Sequence, residues 1–410
     1  SRSASAGRGT TRWLTSMTVA EVALAIMMIA SAGWLVRSFS NLRNTDAGFV
    51  AENRLLFPAT FLGAGFPNGQ AVQQAHVAML NAIKSVPGVA SVGFVSSYPF
   101  SGQLEGSLLG VFQGEAFDPE NPPGMRSRFA SPGLFEAMGT RIIQGRDFAE
   151  TDVPTNAPVA VVNKVFVDRY LSGRDPIGVQ FAAGYPEPDL ENMITIIGVI
   201  EDVRQKSLAD PAEPAFYIPT TQAPLRRLTA VVHSTLPDPT LLQGPIRAKL
   251  RELNPMMALD FRLAENVVGE TIKRQELGMT LMLIFGGIAV VLAAVGIYGV
   301  VSYATSLRSD EMATRLALGA SPGDVFVMVL RQGAVLGVLG AAIGVSLAWL
   351  SGQLVQNQVY AINAADPLIL ASSTLLITAI TVAATVIPAR RPARLNPRTA
   401  VLSQECRAAV

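Results

Sequence analysis

The chain has 410 residues, half of them hydrophobic and only 15% charged, with a mean hydropathy of +0.35. That is too apolar for an ordinary soluble domain, and a net charge of +1 supplies no field to recruit nucleic acid or a strongly acidic substrate. Cys406 is the one cysteine and His76 and His233 are the only histidines, which leaves no disulfide framework within the chain and no Cys/His metal cluster.

The apolar content is concentrated in four stretches. After a polar, Arg-bearing segment at 1–12, Trp13–Val36 contains a single charged residue, Glu21, while Leu277–Leu307, Gln332–Ala365 and Pro367–Pro388 contain none. A bilayer core of about 30 Å needs about 20 apolar helical residues, and each stretch is long enough. The chain therefore reads as a membrane α-helical protein with spans at 13–36, 277–307, 325–351 and 367–388. Residues 37–276 differ, with charges, Pro and Gly every few positions, and form a large mixed α/β domain between spans one and two. Within it, Val72, Val77, Leu80 and Ile83 predict a helix over Gln70–Val86, stopped by Pro87-Gly88. Strands are expected at Val89–Val95, Pro158–Val162 and Met193–Ile200, with a short helix at Asn163–Tyr170. Turns are expected at Ser131-Pro132-Gly133, Gly145-Arg146-Asp147, Asp175-Pro176-Ile177-Gly178 and Asp210-Pro211.

Basic residues give an orientation. Arg2, Arg8 and Arg12 precede the first span, Arg308 and Arg315 lie between the second and third, and Arg390, Arg391, Arg394, Arg398 and Arg407 follow the last. The 352–366 connection has none. Excess Arg and Lys stay on the cytoplasmic side, so both termini (1–12 and 389–410) and the 308–324 loop are expected in the cytoplasm of a bacterial inner membrane, with the α/β domain in the periplasm. Arg37 and Arg43 run against that rule.

No Gly-x-x-x-x-Gly-Lys-Ser/Thr phosphate loop and no His-Glu-x-x-His occur, and no Gly-x-Ser-x-Gly elbow is read, so no enzymatic role and no cofactor are expected. Glu115, Asp147, Glu150 and Asp152 could pair for acid–base work, but scattered carboxylates are more often solvated. The segment Arg308–Asp324 is the most informative. Glu311 and Arg315 stand at i,i+4 in the favourable order, with Met312 and Leu316 as an adjacent apolar stripe. Leu318-Gly319-Ala320 ends that helix, and Ser321-Pro322-Gly323-Asp324 reads as the capped start of the next. Such a helix could be a mechanical handle or an ordinary connector, and both readings stand on the residues alone. In the third span Gly333, Gly337, Gly340 and Gly344 form two small-xxx-small pairs on neighbouring faces, a helix-packing pattern, with Leu336 read as facing lipid. Glu21 is either a functional intramembrane carboxylate or one that reaches headgroup water.

The Glu311–Ala320 segment resembles the signature of MacB-like and FtsX-like ABC transporter permeases. The tail Ile387–Leu402, with Pro388-Ala389-Arg390 and Asn396-Pro397, is similar to that family's closing element. Gly145–Phe148, Val161–Asn163, Asp175–Gly178 and Gly198–Arg204 resemble its periplasmic core domain, and the layout of one span, a large domain and three spans matches. Arg8–Arg43 is similar to the joint opening the second copy of acidobacterial-type duplicated orphan permeases, so the chain is expected to be the C-terminal half of a longer one. The resemblance implies a permease that acts by mechanotransmission. A separate ABC ATPase subunit binds the ATP and docks on a coupling element at Glu311–Ala320, and two permease copies pair. The outer domains then push or release a substrate, with a periplasmic partner as a further expectation. The rival reading is a membrane regulator or scaffold whose outer domain activates an envelope partner without transport.

Overall fold

The computed structural model describes residues 3–390 apart from 64, 103–105, 255, 256, 258, 309, 310, 313, 316–320 and 356–365. It divides into two units, Ser1–Asn44 with Arg274–Val410, and Thr45–Lys273.

Among the described residues the first unit holds four helices long and apolar enough to cross a membrane, with spans Trp13–Arg43, Glu276–Leu307, Gly323–Gln353 and Pro367–Pro388. They lie within α1 (Ser3–Arg43), α6 (Ala264–Leu307), α7 (Pro322–Val355) and α8 (Pro367–Arg390). The helix expected over 277–307 starts earlier, at Ala264, one residue after the edge strand of the α/β domain. The reason is local: Ala264–Gln275 has no Pro and a single Gly, so nothing stops the helix, and its charges merely keep that part out of the apolar span. Val22, Ala25 and Ile26 of α1 pack with Ala293, Ile297 and Val301 of α6, Val325, Val329 and Leu336 of α7, and Ile377 of α8.

The second unit is an 11-stranded mixed sheet with helices. One part is antiparallel, in the order β11 (Arg262–Leu263), β1 (Arg54–Thr60), β10 (Arg227–Ser234), β2 (Val89–Val95). Its apolar face carries α2 (Gly69–Lys84) and α5 (Gln243–Leu253), where Leu55, Phe57 and Ala59 alternate inward against Val72, Met79, Ile83, Ile246 and Leu250. Gly93 of β2 faces α3 (Leu134–Met138). A Cβ there would lie 2.4 Å from the Leu134 Cα, so only glycine lets this helix sit on the strand.

In the other part, β4 (Gly124–Ala130), β3 (Ser107–Phe112), β7 (Gln180–Gly184), β8 (Ile194–Ile200), β6 (Val159–Asn163) and β9 (Ala215–Pro219) pair in sequence, and β9 returns to pair with β4. The strands thus close into a ring, which removes their edges. Its interior holds Phe112, Met125, Phe166, Phe181, Ile196 and Phe216. The remaining strand, β5 (Ile142–Gly145), pairs outside it with β8, and α4 (Lys164–Tyr170) follows β6 directly. The predicted helix at 70–86 and strands at 89–95, 158–162 and 193–200 match α2, β2, β6 and β8 to within two residues. The parallel pairs are β4–β9 and β6–β8.

His76 is 3% exposed on the inner face of α2, its ring 4.5 Å from that of Phe61. Its Nε2–H donates to the Leu225 carbonyl at 2.9 Å, while Nδ1 has no partner among the described residues. Burial lowers its pKa from 6.5 to about 4. Between those values the unfolded chain binds the proton and the fold does not. The stabilisation is therefore complete above pH 6.5 and is lost as pH falls towards 4, by about 3 kcal/mol. Residues 46–275 expressed alone are expected to unfold cooperatively, and between pH 6.5 and 4 the wild type should lose about 3 kcal/mol more than His76→Gln. Urea titrations across that range measure both; parallel pH profiles, or recovery only as aggregate, would contradict the expectation.

Candidate functional site

The loop between α6 and α7 is set by short-range chemistry. Glu311, Met312, Thr314 and Arg315 are helical, and the Arg315 Nη2 donates to Glu311 Oε1 at 2.6 Å, with both side chains about half exposed. Arg315 Nη1 also reaches the Met328 sulfur on α7 at 3.6 Å. Met312, expected to offer an apolar contact surface, instead turns inward. It is 3% exposed and packs with Val300, Val325 and Val329, because a helix rotates each successive residue by about 100° and Glu311 takes the outward direction. Leu316, Leu318, Gly319 and Ala320 lie outside the described residues.

The start of α7 is a reciprocal cap. Ser321 Oγ donates to Asp324 Oδ2 at 2.8 Å, the Ser321 N–H donates to the same oxygen at 3.0 Å, and the Asp324 N–H donates back to Ser321 Oγ at 3.2 Å. Gly319-Ala320-Ser321-Pro322-Gly323 has the spacing of a serine-hydrolase nucleophile elbow, which the sequence reading missed. The Ser321 hydroxyl donates to Asp324 and serves as the cap of α7.

The glycines of α7 face two different helices. A Cβ on Gly333 would lie 2.1 Å from Thr385 Cγ2, and one on Gly337 2.9 Å from Thr381 Cγ2, both on α8. On α1, a Cβ on Gly340 would meet Val22 Cγ1 at 2.5 Å, and one on Gly344 would meet the Ala23 carbonyl oxygen at 2.9 Å. Leu336 does not face lipid; it is 4% exposed in the bundle core, between the two glycine contacts. Glu21 lies against α6, its Oε2 buried without a hydrogen-bond partner among the described residues. A Cβ on Gly296 would come within 2.0 Å of that oxygen. Arg37, an exception to the charge rule, pairs with Asp366 at 2.5 Å, and Asp366 accepts from the Leu368 N–H at the start of α8.

In the α/β domain the motif residues perform structural tasks. Arg146 donates through both terminal nitrogens to Asp152, at 2.8 and 2.9 Å, which lowers the Asp152 pKa. Asp147 accepts from the Phe148 N–H at 2.6 Å, Glu115 pairs with Arg174 at 3.6 Å, and Glu150 is exposed. Asn163 caps α4 through Phe166 N and also holds Ala215 N on β9, while Asp202 takes the Val165 N–H at 2.7 Å. Asp175 accepts from the Ile177 N–H at 3.1 Å within its turn.

Two family profiles cover this architecture. The MacB-like periplasmic core domain matches residues 15–273 and the FtsX-like permease C-terminal domain matches residues 283–397. The chain belongs to the MacB-like and FtsX-like ABC permease family. Pyoverdine export ATP-binding/permease protein PvdT of Pseudomonas aeruginosa is 24% identical over 286 residues, 66% of this chain and 41% of that protein. Macrolide export ATP-binding/permease protein MacB 2 of Aeromonas hydrophila is 23% identical over 54% of this chain and 34% of its own length. ABC transporter permease YtrF of Bacillus subtilis is 32% identical over 93 residues, 23% of this chain and 20% of that protein. The chain thus spans about two-fifths or less of the length of these relatives. Among solved structures, the periplasmic region of MacB from Actinobacillus actinomycetemcomitans aligns at a TM-score of 0.38 and 17% identity, over 57% of this chain and 98% of that one.

For this permease, the glycine contacts of α7 give a stability ranking. Gly344→Val places a branched side chain against the α1 backbone and is expected to cost about 1–3 kcal/mol, with Gly337→Leu in the same class. Val338→Ala trims a residue that is 67% exposed and should fall within about 0.5 kcal/mol of wild type. Thermal unfolding of the three variants in one detergent tests the ranking; equal midpoints would refute it.

Proposed function

We propose that the chain is a permease subunit that couples a partner ABC ATPase to movement of its α/β domain, for export or release of a substrate beyond the membrane. The observation that carries this reading is α6. It runs unbroken from Ala264, directly after the sheet's edge strand, to Leu307, next to the Glu311–Arg315 loop. An unbroken helix transmits displacement along its axis, since every internal hydrogen bond resists stretching. A push at the loop therefore has a stiff route to the α/β domain. The names of the relatives agree: two are ATP-binding/permease proteins and one is a permease alone. The same proposal has a partner ABC ATPase bind the ATP and supply the energy, and a second permease copy and a periplasmic partner belong to it.

The coupling surface is then the outward face of the loop. Glu311 and Arg315 hold the helix in shape. Leu316 supplies the apolar contact, the inward Met312 anchors the turn to α7, and Leu318, Gly319 and Ala320 complete the element. The basic residues set the topology, with both termini and the loop in the cytoplasm and the α/β domain in the periplasm.

Two experiments address this reading. Single cysteines at Ser172 and Ser309 in the Cys406→Ser background should label from opposite sides in intact spheroplasts; labelling of both by one impermeant reagent would overturn the topology. In proteoliposomes with a candidate ATPase, Glu311→Ala should change stability by only about 0.2–0.5 kcal/mol, as for an exposed i,i+4 pair. At a partly desolvated docking surface the same change should weaken ATPase retention about tenfold or more, and Leu316→Asp should do so further. Retention and ATPase stimulation by Leu316→Asp at the wild-type level would reduce the loop to a connector.

A further inference from the structure

The contact between Glu21 of α1 and Gly296 of α6 depends on a missing side chain. A Cβ on Gly296 would lie 2.0 Å from Glu21 Oε2 and 3.1 Å from its Cδ, so the carboxylate lies in a notch that only glycine leaves open. Oε2 is buried there with no hydrogen-bond partner among the described residues. Swinging it aside would set a carboxylate against hydrocarbon, where a polar or charged group is costly. From Ile288 to Leu307 one other position lacks a Cβ, Gly299, and a Cβ there would meet nothing within 4 Å. Moving α6 by three residues, about 4.5 Å along its axis with about 60° of rotation, brings Gly299 to the place that Gly296 holds.

The neighbouring registers are closed. A three-residue step the other way presents Ala293, whose methyl would fall where a Cβ on Gly296 falls, against the carboxylate. A second forward step presents Ser302, and four-residue steps present Leu292 or Val300. We infer that α6 has two registers on α1, with Glu21 in the Gly296 notch or in the Gly299 notch, and that these fix the length and the direction of its stroke. The forward step carries α6 towards its own N-terminal end, the sense in which a push from the Glu311–Arg315 loop drives it. That drive rests on the permease reading above, whereas the two registers rest on the notches alone.

α1 and α6 run antiparallel, since Met28 of α1 approaches Gly286 while Glu21 approaches Gly296. Spin labels on Met17→Cys and Leu277→Cys, two exposed positions, in the Cys406→Ser background therefore read the stroke by pulsed dipolar EPR of the full chain in detergent. Gly296→Ala closes the occupied notch and should lengthen the label distance by about 4 Å, and adding Glu21→Ala should restore the wild-type distance. Gly299→Ala alone should keep the wild-type distance, with an unfolding temperature at or above that of the wild type. An unchanged distance in Gly296→Ala would mean that the carboxylate swings aside and would overturn the inference, as would a shift that persists in Gly296→Ala/Gly299→Ala. In proteoliposomes with a candidate ATPase, ATP should lengthen the wild-type distance by the same amount and fail to do so in Gly299→Ala. Shifts in the variants without an ATP-driven shift in the wild type would uphold the two registers and count against the ATPase reading.

Discussion

Inside a bilayer every backbone N–H and C=O must be satisfied by its own helix, and the rest of this structure follows from that constraint. The bilayer also removes the hydrophobic effect as a cause of helix association, since lipid is as apolar as leucine. What remains is close contact, and α7 supplies it on two sides. Gly333 and Gly337 receive the threonine methyls of α8, while Gly340 receives the Val22 side chain and Gly344 admits the α1 backbone at Ala23. Leu336 fills the angle between these two seams, which is why it is buried.

The fourth helix is held differently. α6 touches the bundle core through one stripe, Ala293, Ile297, Val300 and Val301, and its span is 17% buried against 39% for those of α1 and α7. Its glycines fit this arrangement. Gly296 accommodates the Glu21 carboxylate, whereas Gly287 and Gly299 face open space. A rod secured along one narrow stripe can slide or rotate with less disruption than one interlocked on two faces. That mechanical difference between α6 and the α1–α7–α8 group makes α6 the credible moving part of the proposed permease.

Much of this was legible in the sequence, and the boundary follows physical range. Spans, caps and the Glu311–Arg315 pair depend on residues within a few turns of one another, and they read directly. The reach of α6 back to Ala264 was missed because the change from apolar to charged sequence was read as the end of a helix. The ring of strands was invisible, since the β4–β9 and β6–β9 pairings join segments far apart in the chain. Met312 and Leu336 were misplaced for one reason. A leucine or methionine turned to a neighbouring helix looks in sequence like one turned to lipid or to solvent, and only the neighbouring helix decides.

The residues behind the family resemblance in the α/β domain are occupied with structure. Asn163 and Asp202 cap α4, Arg146 clamps Asp152, and Asp175 sets a turn. Each satisfies a backbone group or fixes a loop, tasks that a scaffold must perform whatever it carries. They identify the fold and are silent on the ligand, because function resides in sites placed on a fold rather than in the fold. The chemistry that distinguishes this domain must therefore lie in side chains the scaffold leaves unspent.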